Sequence, residues 1–112
     1  MTNCLFCSIA VGEIPADIVL QNSDFVAFRD INPQAPVHIL VIPTEHHANI
    51  AELASANPAL AGDLVAITQK VAADEGLSDY RLVFNTGAEA GQSVFHAHGH
   101  ILGGRDLKWP PG

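Results

Sequence analysis

The stretch His96-Ala97-His98-Gly99-His100-Ile101-Leu102 decides how this chain is read. Three histidines alternate with small residues and then run into an apolar pair. In an extended strand, side chains alternate between faces, so all three imidazoles are expected on one face. Each titrates near neutrality and can accept or donate a proton, attack an electrophile or bind a metal. A purely structural strand of this length would carry Val or Ile instead. A transition-metal trap, as in His-rich tracts, is the rival reading. The triplet, however, sits within residues 85–104, a stretch rich in Gly and apolar residues that reads as folded. A catalytic or phosphate-binding strand is therefore expected.

Immediately upstream, Thr86-Gly87-Ala88-Glu89-Ala90-Gly91-Gln92-Ser93 is a Gly-bearing turn that ends in an amide and a hydroxyl. Alone it is an ordinary hairpin loop. Beside three histidines it reads as an oxyanion cradle of N–H groups and polar side chains. Residues 80–85 and 97–103 read as the last two strands. His38-Ile39-Leu40-Val41-Ile42-Pro43 is strongly β-prone and predicts a central strand. Residues 17–21 and 25–30 predict two strands joined by a tight turn at Asn22-Ser23. Asn32-Pro33-Gln34-Ala35-Pro36 is a loop, because two prolines exclude both helix and interior ladder.

The best helix is residues 58–75. Asn57 is a good N-cap and Pro58 suits the first helical position. Leu60, Leu64, Ile67 and Val71 form one apolar stripe, and Gly76 supplies the stop. Residues 5–11 predict a short helix ended by Gly12. The order is short helix, three strands, long helix, two strands. It predicts one α+β domain over residues 1–112, with five mostly antiparallel strands, one long helix and one short helix.

The bulk numbers fit that reading. The chain has 112 residues and 48% apolar composition, enough for one compact core. It is small enough that oligomerisation would help. No apolar run reaches the length of a membrane span. Met1-Thr2-Asn3-Cys4 lacks a basic region followed by an apolar stretch, so no secretory signal and a cytoplasmic location are expected. Net charge is −7, with five Lys and Arg scattered along the chain. That argues against a nucleic-acid or anionic-membrane partner, either of which needs a basic patch. Any phosphate must be held by histidines, neutral donors or backbone N–H groups.

The histidine stretch resembles the signature of the histidine triad (HIT) family, His-φ-His-φ-His-φ-φ. Other stretches are similar to its Hint branch, the purine nucleoside phosphoramidases. They are Asp30-Ile31-Asn32-Pro33-Gln34-Ala35-Pro36-Val37-His38, Leu40-Val41-Ile42-Pro43, Gly91-Gln92-Ser93-Val94, Leu102-Gly103-Gly104-Arg105 and Trp109-Pro110-Pro111-Gly112. The resemblance implies a HIT-like fold and a homodimer whose sheets join into one of ten strands. It implies a nucleoside monophosphate site and a covalent nucleotidyl-histidine intermediate. By position, His98 is the nucleophile, His100 contacts the α-phosphate, and His96 and His38 complete the cluster. Asn85, Gly91, Gln92 and Ser93 match the residues around the phosphate or leaving group. Asp30 matches the carboxylate that grips the ribose hydroxyls. Leu5, Phe6, Ile9, Phe28, Ile31 and Leu40 match the apolar slot for the base. Trp109 resembles the C-terminal residue that reaches the partner's site. No organic cofactor is implied. Ala97 and Gly99 depart from the bulkier residues usual between the histidines, which puts the packing behind the nucleophile in question.

Cys4-Leu5-Phe6-Cys7 is the second notable pattern. A disulfide is disfavoured in a cytosolic chain, and a thioredoxin-like pair would follow a strand. Alone, the spacing is ambiguous between structural zinc, free packed thiols and a redox role. Bacterial members of the family, and the related galactose-1-phosphate uridylyltransferases, resemble this pattern and use it for structural Zn²⁺. The resemblance then implies Cys4, Cys7, His46 and His96 as ligands, with His47 a rival for His46.

The expected activity is hydrolysis of the P–N bond of purine nucleoside 5′-phosphoramidates and related aminoacyl-type adenylates. The alternatives are a dinucleoside polyphosphate hydrolase of another HIT branch, and a non-catalytic nucleotide-binding or scaffold protein.

Overall fold

The structure, a computed structural model, describes residues 4–112. The reading of Met1-Thr2-Asn3 as free of a targeting signal lies outside the described residues. Helix α1 (Leu5–Ala10) leads into β1 (Ile18–Gln21), β2 (Phe25–Arg29) and β3 (Val37–Pro43). Helices α2 (Ile50–Ala56) and α3 (Pro58–Asp74) follow, then β4 (Tyr80–Val83), a 3₁₀ turn (Ala88–Ala90) and β5 (Gly99–Gly103). The five strands form one sheet in the order β1-β2-β3-β5-β4, and every adjacent pair is antiparallel. The expected α+β sheet is thus present.

Strand β3 is apolar at every position from Ile39 to Ile42 because both of its faces are covered. Ile39 and Val41 face α2 and α3, in a core with Leu53, Leu64, Val71 and Ile101. Leu40 and Ile42 face α1, with Phe6, Ile9, Val26 and Phe28. The opening turn of α3 forms as its sequence predicts: the Asn57 side chain accepts from Leu60 N–H at 3.2 Å, with Pro58 in the first turn. Past the C-terminus of α3, Gly76 takes φ +78°, a conformation other residues adopt only with strain.

Two expectations need correction. Among the described residues there are three α-helices, not one long and one short. Helix α2 was missed because it is seven residues long and buries only Leu53. Its signal was nonetheless present: Asn49 accepts from Glu52 N–H at 2.9 Å, an N-cap three residues before a glutamate. The other correction concerns the last strand, which begins at Gly99 rather than Ala97. Ala97 N–H donates to the His47 carbonyl at 2.7 Å, so the segment before β5 pairs with a loop and leaves the β3 ladder. Alternation survives anyway. Ala97 and Ile101 enter the α3 core, while His96 and His98 turn toward Phe6.

Gly99 answers the question raised by its small size. A Cβ there would lie 2.9 Å from Leu82 Cδ1 and 3.0 Å from Phe84 Cε1. Those two side chains fill the space behind the histidines. Gly99→Val is therefore expected to destabilise the fold by about 1–3 kcal/mol through overpacking, read as a lower urea midpoint with unchanged m.

Candidate active site

Only His100 of the three histidines lies within a ladder; His96 and His98 are presented by the extended segment before β5. Their tautomers follow from hydrogen bonds whose other partner has a fixed role. His98 Nδ1 donates to the His96 carbonyl at 2.7 Å, which leaves the lone pair on Nε2. The Gln34 N–H donates to His38 Nδ1 at 3.0 Å, so the His38 proton sits on Nε2. That Nε2 lies 3.0 Å from His100 Nδ1 and donates to it. His100 therefore keeps its own N–H on Nε2. A backbone amide thus makes His100 a donor ring through His38, and the His96 carbonyl makes His98 an acceptor ring.

Burial makes these rings neutral. It lowers the pKa of His98 and of His38, in each case against a smaller opposing pull from Asp30. His100 falls to about 4, through burial first and then through His98 and His38. A neutral imidazole at pH 7 is the nucleophilic form. The same shifts bear on stability. Below its ordinary value of 6.5, His100 in the unfolded chain takes up a proton that the folded site refuses until about pH 4. Its contribution is present above pH 6.5 and is lost as pH falls toward 4. The urea midpoint is expected to drop across that window, and less steeply in His100→Gln. Equal slopes in the two proteins would count against the assignment.

A cavity of about 380 Å³ opens beside these rings. His98, His100, Ser93 and Asp30 are among the polar residues that line it. Leu5, Phe6, Ile9, Phe28, Ile31 and Leu40 supply apolar wall, as does Val94. The Phe6 ring meets His98 edge-on at 5.0 Å and Phe28 at 5.5 Å. Asp30 Oδ1 accepts from Asn32 N–H at 2.8 Å, and Oδ2 lies 3.4 Å from His38 Nε2. Ser93 is exposed, and among the described residues its hydroxyl has no hydrogen-bond partner.

Ile14, Pro15, Ala16, Asp17 and Arg29 also line the cavity and were missed. An aperiodic apolar run, Ile14-Pro15-Ala16, between helix and strand was the available signal. Several anticipated residues do not line it. His38 stands behind His100, and His96 belongs to a different cluster described below. Asn85 is half-buried after β4, and Gly91 closes the 3₁₀ turn at φ +103°. Gln92 is buried with its amide engaged: Oε1 accepts from Gly87 N–H, and Nε2 donates to the Ala48 and Val94 carbonyls. Its side chain braces the loop. Trp109 is 82% exposed and stays away from the cavity of its own chain.

Cys4, Cys7, His46 and His96 turn their donor atoms toward one point, all within 4.8 Å of one another. His46 Nδ1 and His96 Nδ1 are 3.1 Å apart. Cys7 Sγ is 3.2 Å from the first and 3.5 Å from the second, and Cys4 Sγ is 3.4 Å from His96 Nδ1. The edges of a tetrahedron with ordinary Zn–S and Zn–N bonds are about 3.3–3.8 Å. His96 Nε2 donates to the Pro43 carbonyl at 2.7 Å, so Nδ1 carries the lone pair that a cation needs. The four residues fit a metal ion. His47 is not among the clustered donors; its Nε2 lies 2.7 Å from Glu45 Oε2 instead.

The HIT domain profile matches residues 11–107. The chain belongs to the HIT domain family. An uncharacterized HIT-like protein of Synechococcus elongatus is 52% identical over 96% of each chain. A HIT family hydrolase from Legionella pneumophila is similar at TM-score 0.94 and 50% identity, over 98% of this chain and 100% of that one. A HIT family hydrolase from Clostridium thermocellum superposes at TM-score 0.91 with 44% identity, over 96% of each. Among the described residues of this HIT protein, no helix is long and apolar enough to cross a membrane.

Proposed function

We propose that this HIT protein is a hydrolase that cleaves the P–N bond of purine nucleoside 5′-phosphoramidates through a nucleotidyl-His98 intermediate. The observation that carries the proposal is the ring of His98: buried, neutral, hydrogen-bonded through Nδ1 and lining an apolar cavity of nucleotide size. His98 Nε2 attacks phosphorus as the P–N bond breaks, and the amine leaves with a proton. The His96 carbonyl stabilises the positive charge that grows on the ring. His100 Nε2–H donates to a phosphoryl oxygen, and the Ser93 hydroxyl serves the leaving nitrogen. Water then attacks phosphorus and frees His98. Asp30 takes the ribose hydroxyls, and Phe6, Ile9, Phe28 and Leu40 hold the base.

One observation favours a monophosphate derivative over a dinucleoside polyphosphate. Arg29 is the only Lys or Arg on the described cavity lining, and it is committed to Glu75 at 2.9 Å and Asp17 at 3.7 Å. A chain of phosphates would find no further cation there. Adenosine 5′-phosphoramidate is expected to be turned over well and a dinucleoside tetraphosphate poorly. The opposite preference in a side-by-side assay would move the protein to another branch. A zinc ion on Cys4, Cys7, His46 and His96 would tie α1 to the segment before β5. The proposed assembly is a homodimer in which the exposed Trp109 reaches the partner's cavity. Light scattering at micromolar concentration should report twice the chain mass.

A further inference from the structure

We propose that Cys4 and Cys7 form a redox switch for the cavity: a hydroperoxide closes a Cys4–Cys7 disulfide, dismantles the four-donor cluster and loosens the α1 wall. The consequence for ligand rests on the reading of the cavity as a nucleoside 5′-phosphate site. Three observations support the switch. Both thiols are only partly buried, and they lie one helical turn apart, with Cys7 N–H donating to Cys4 Sγ at 3.3 Å. Helix α1 is six residues long, below the length at which a helix holds itself, so its place depends on what ties it down. The ties are the burial of Phe6 and Ile9 and the cluster that joins Cys4 and Cys7 to His46 and His96.

Two links carry a change in the cluster to the chemistry. Leu5, Phe6 and Ile9 of the same helix wall the cavity. His96, one of the four donors, offers the carbonyl that holds His98 Nδ1. The Phe6 ring touches both sides of this arrangement, 6.2 Å from the His96 ring and 5.0 Å from that of His98.

The oxidation needs only the peroxide and protons from water. One cysteine sulfur attacks the O–O bond of hydrogen peroxide, becomes a sulfenic acid and releases hydroxide, which leaves as water. The second sulfur attacks the sulfenic sulfur, the S–S bond forms, and a second hydroxide leaves as water. In the zinc-loaded protein two thiolates, one peroxide and two protons from water give one disulfide and two waters, with two electrons passing from sulfur to oxygen. A disulfide offers no thiolate to a metal, so only His46 and His96 of the four donors remain.

The test treats the intact zinc-loaded protein with stoichiometric hydrogen peroxide, then with dithiothreitol and zinc. Intact mass, zinc release to a chromogenic chelator, amide exchange and AMP calorimetry are read at each stage. The expected result is loss of two hydrogens and one zinc per chain. Exchange over residues 5–10 and 96–98 should accelerate about tenfold or more. AMP affinity should fall about tenfold, and all changes should reverse on reduction. Cys7→Ser should gain oxygen on Cys4 and form no intrachain bridge; if it does not fold, reversal in the wild type decides. Addition of oxygen atoms without a disulfide overturns the switch, as does a disulfide that leaves zinc and exchange unchanged. If AMP fails to bind the reduced protein, the nucleotide reading alone falls, and mass, metal and exchange still judge the switch.

Discussion

His98→Ala is expected to lower turnover of an adenosine 5′-phosphoramidate by about 10³–10⁵-fold, equivalent to about 4–7 kcal/mol of transition-state stabilisation. The replacement removes a cavity-lining ring whose Nδ1 is already held by a carbonyl, which leaves the lone pair on Nε2. Nothing nearby can substitute. His100 presents a proton on Nε2, because His38 occupies its Nδ1, and His96 is turned into the donor cluster. AMP binding should survive, since the apolar wall and Asp30 are untouched. Rapid quenching should trap a nucleotidyl adduct on the wild type and none on the variant. A variant that keeps more than about a tenth of the wild-type rate would remove His98 from the nucleophile's role.

If the four donors hold a metal ion as proposed, removing it, or replacing Cys4 and Cys7 together by Ser, should lower the thermal midpoint by roughly 10–20 °C. The four donors come from three separated parts of the chain: α1, the loop after β3 and the segment before β5. A cation that joins them is bound only by the folded state, so its binding free energy adds to stability. Burial and the adjacent Cys4 raise the Cys7 thiol to about 11, so at neutral pH metal uptake must displace its proton. Loading should therefore release protons and weaken as pH falls. Equal midpoints for zinc-supplied and chelator-treated protein, with no stoichiometric metal by elemental analysis, would end the structural-zinc reading.

Much of the fold was legible because the signals were local. The unbroken apolar run of β3 requires cover on both faces, and it has it. The Asn57-Pro58 start and Gly76 stop of α3 depend on backbone groups a few residues away. Helix α2 escaped because one buried leucine makes no periodic stripe, although the Asn49–Glu52 cap was readable. The site divides in the same way. Phe6, Phe28 and Leu40 were identifiable by resemblance as one wall, yet they come from three elements that only packing brings together.

Gln92 shows the limit of reading residue by residue. An amide beside three histidines looks like a ligand for phosphate. Its partners, Gly87 and Val94 of its own loop and Ala48 of the loop after β3, convert it into a brace. The choice between His46 and His47 was likewise beyond the sequence. Adjacent residues have the same local context, and which one reaches Cys7 depends on how the loop after β3 crosses α1.

By itself the sequence determined the α+β architecture, the shared face of the three histidines and the candidate donors Cys4 and Cys7. Period, capping and spacing are properties of neighbours along the chain. The tertiary structure decided which ring carries a lone pair, which carries a proton, and which histidine joins the thiols. Those outcomes depend on a Gln34 amide, a His96 carbonyl and a Pro43 carbonyl. A hydrogen bond assigns a tautomer only when its other partner can play a single role, and His38 passes that assignment to His100 only because β3 pairs with β5 and brings the two rings together.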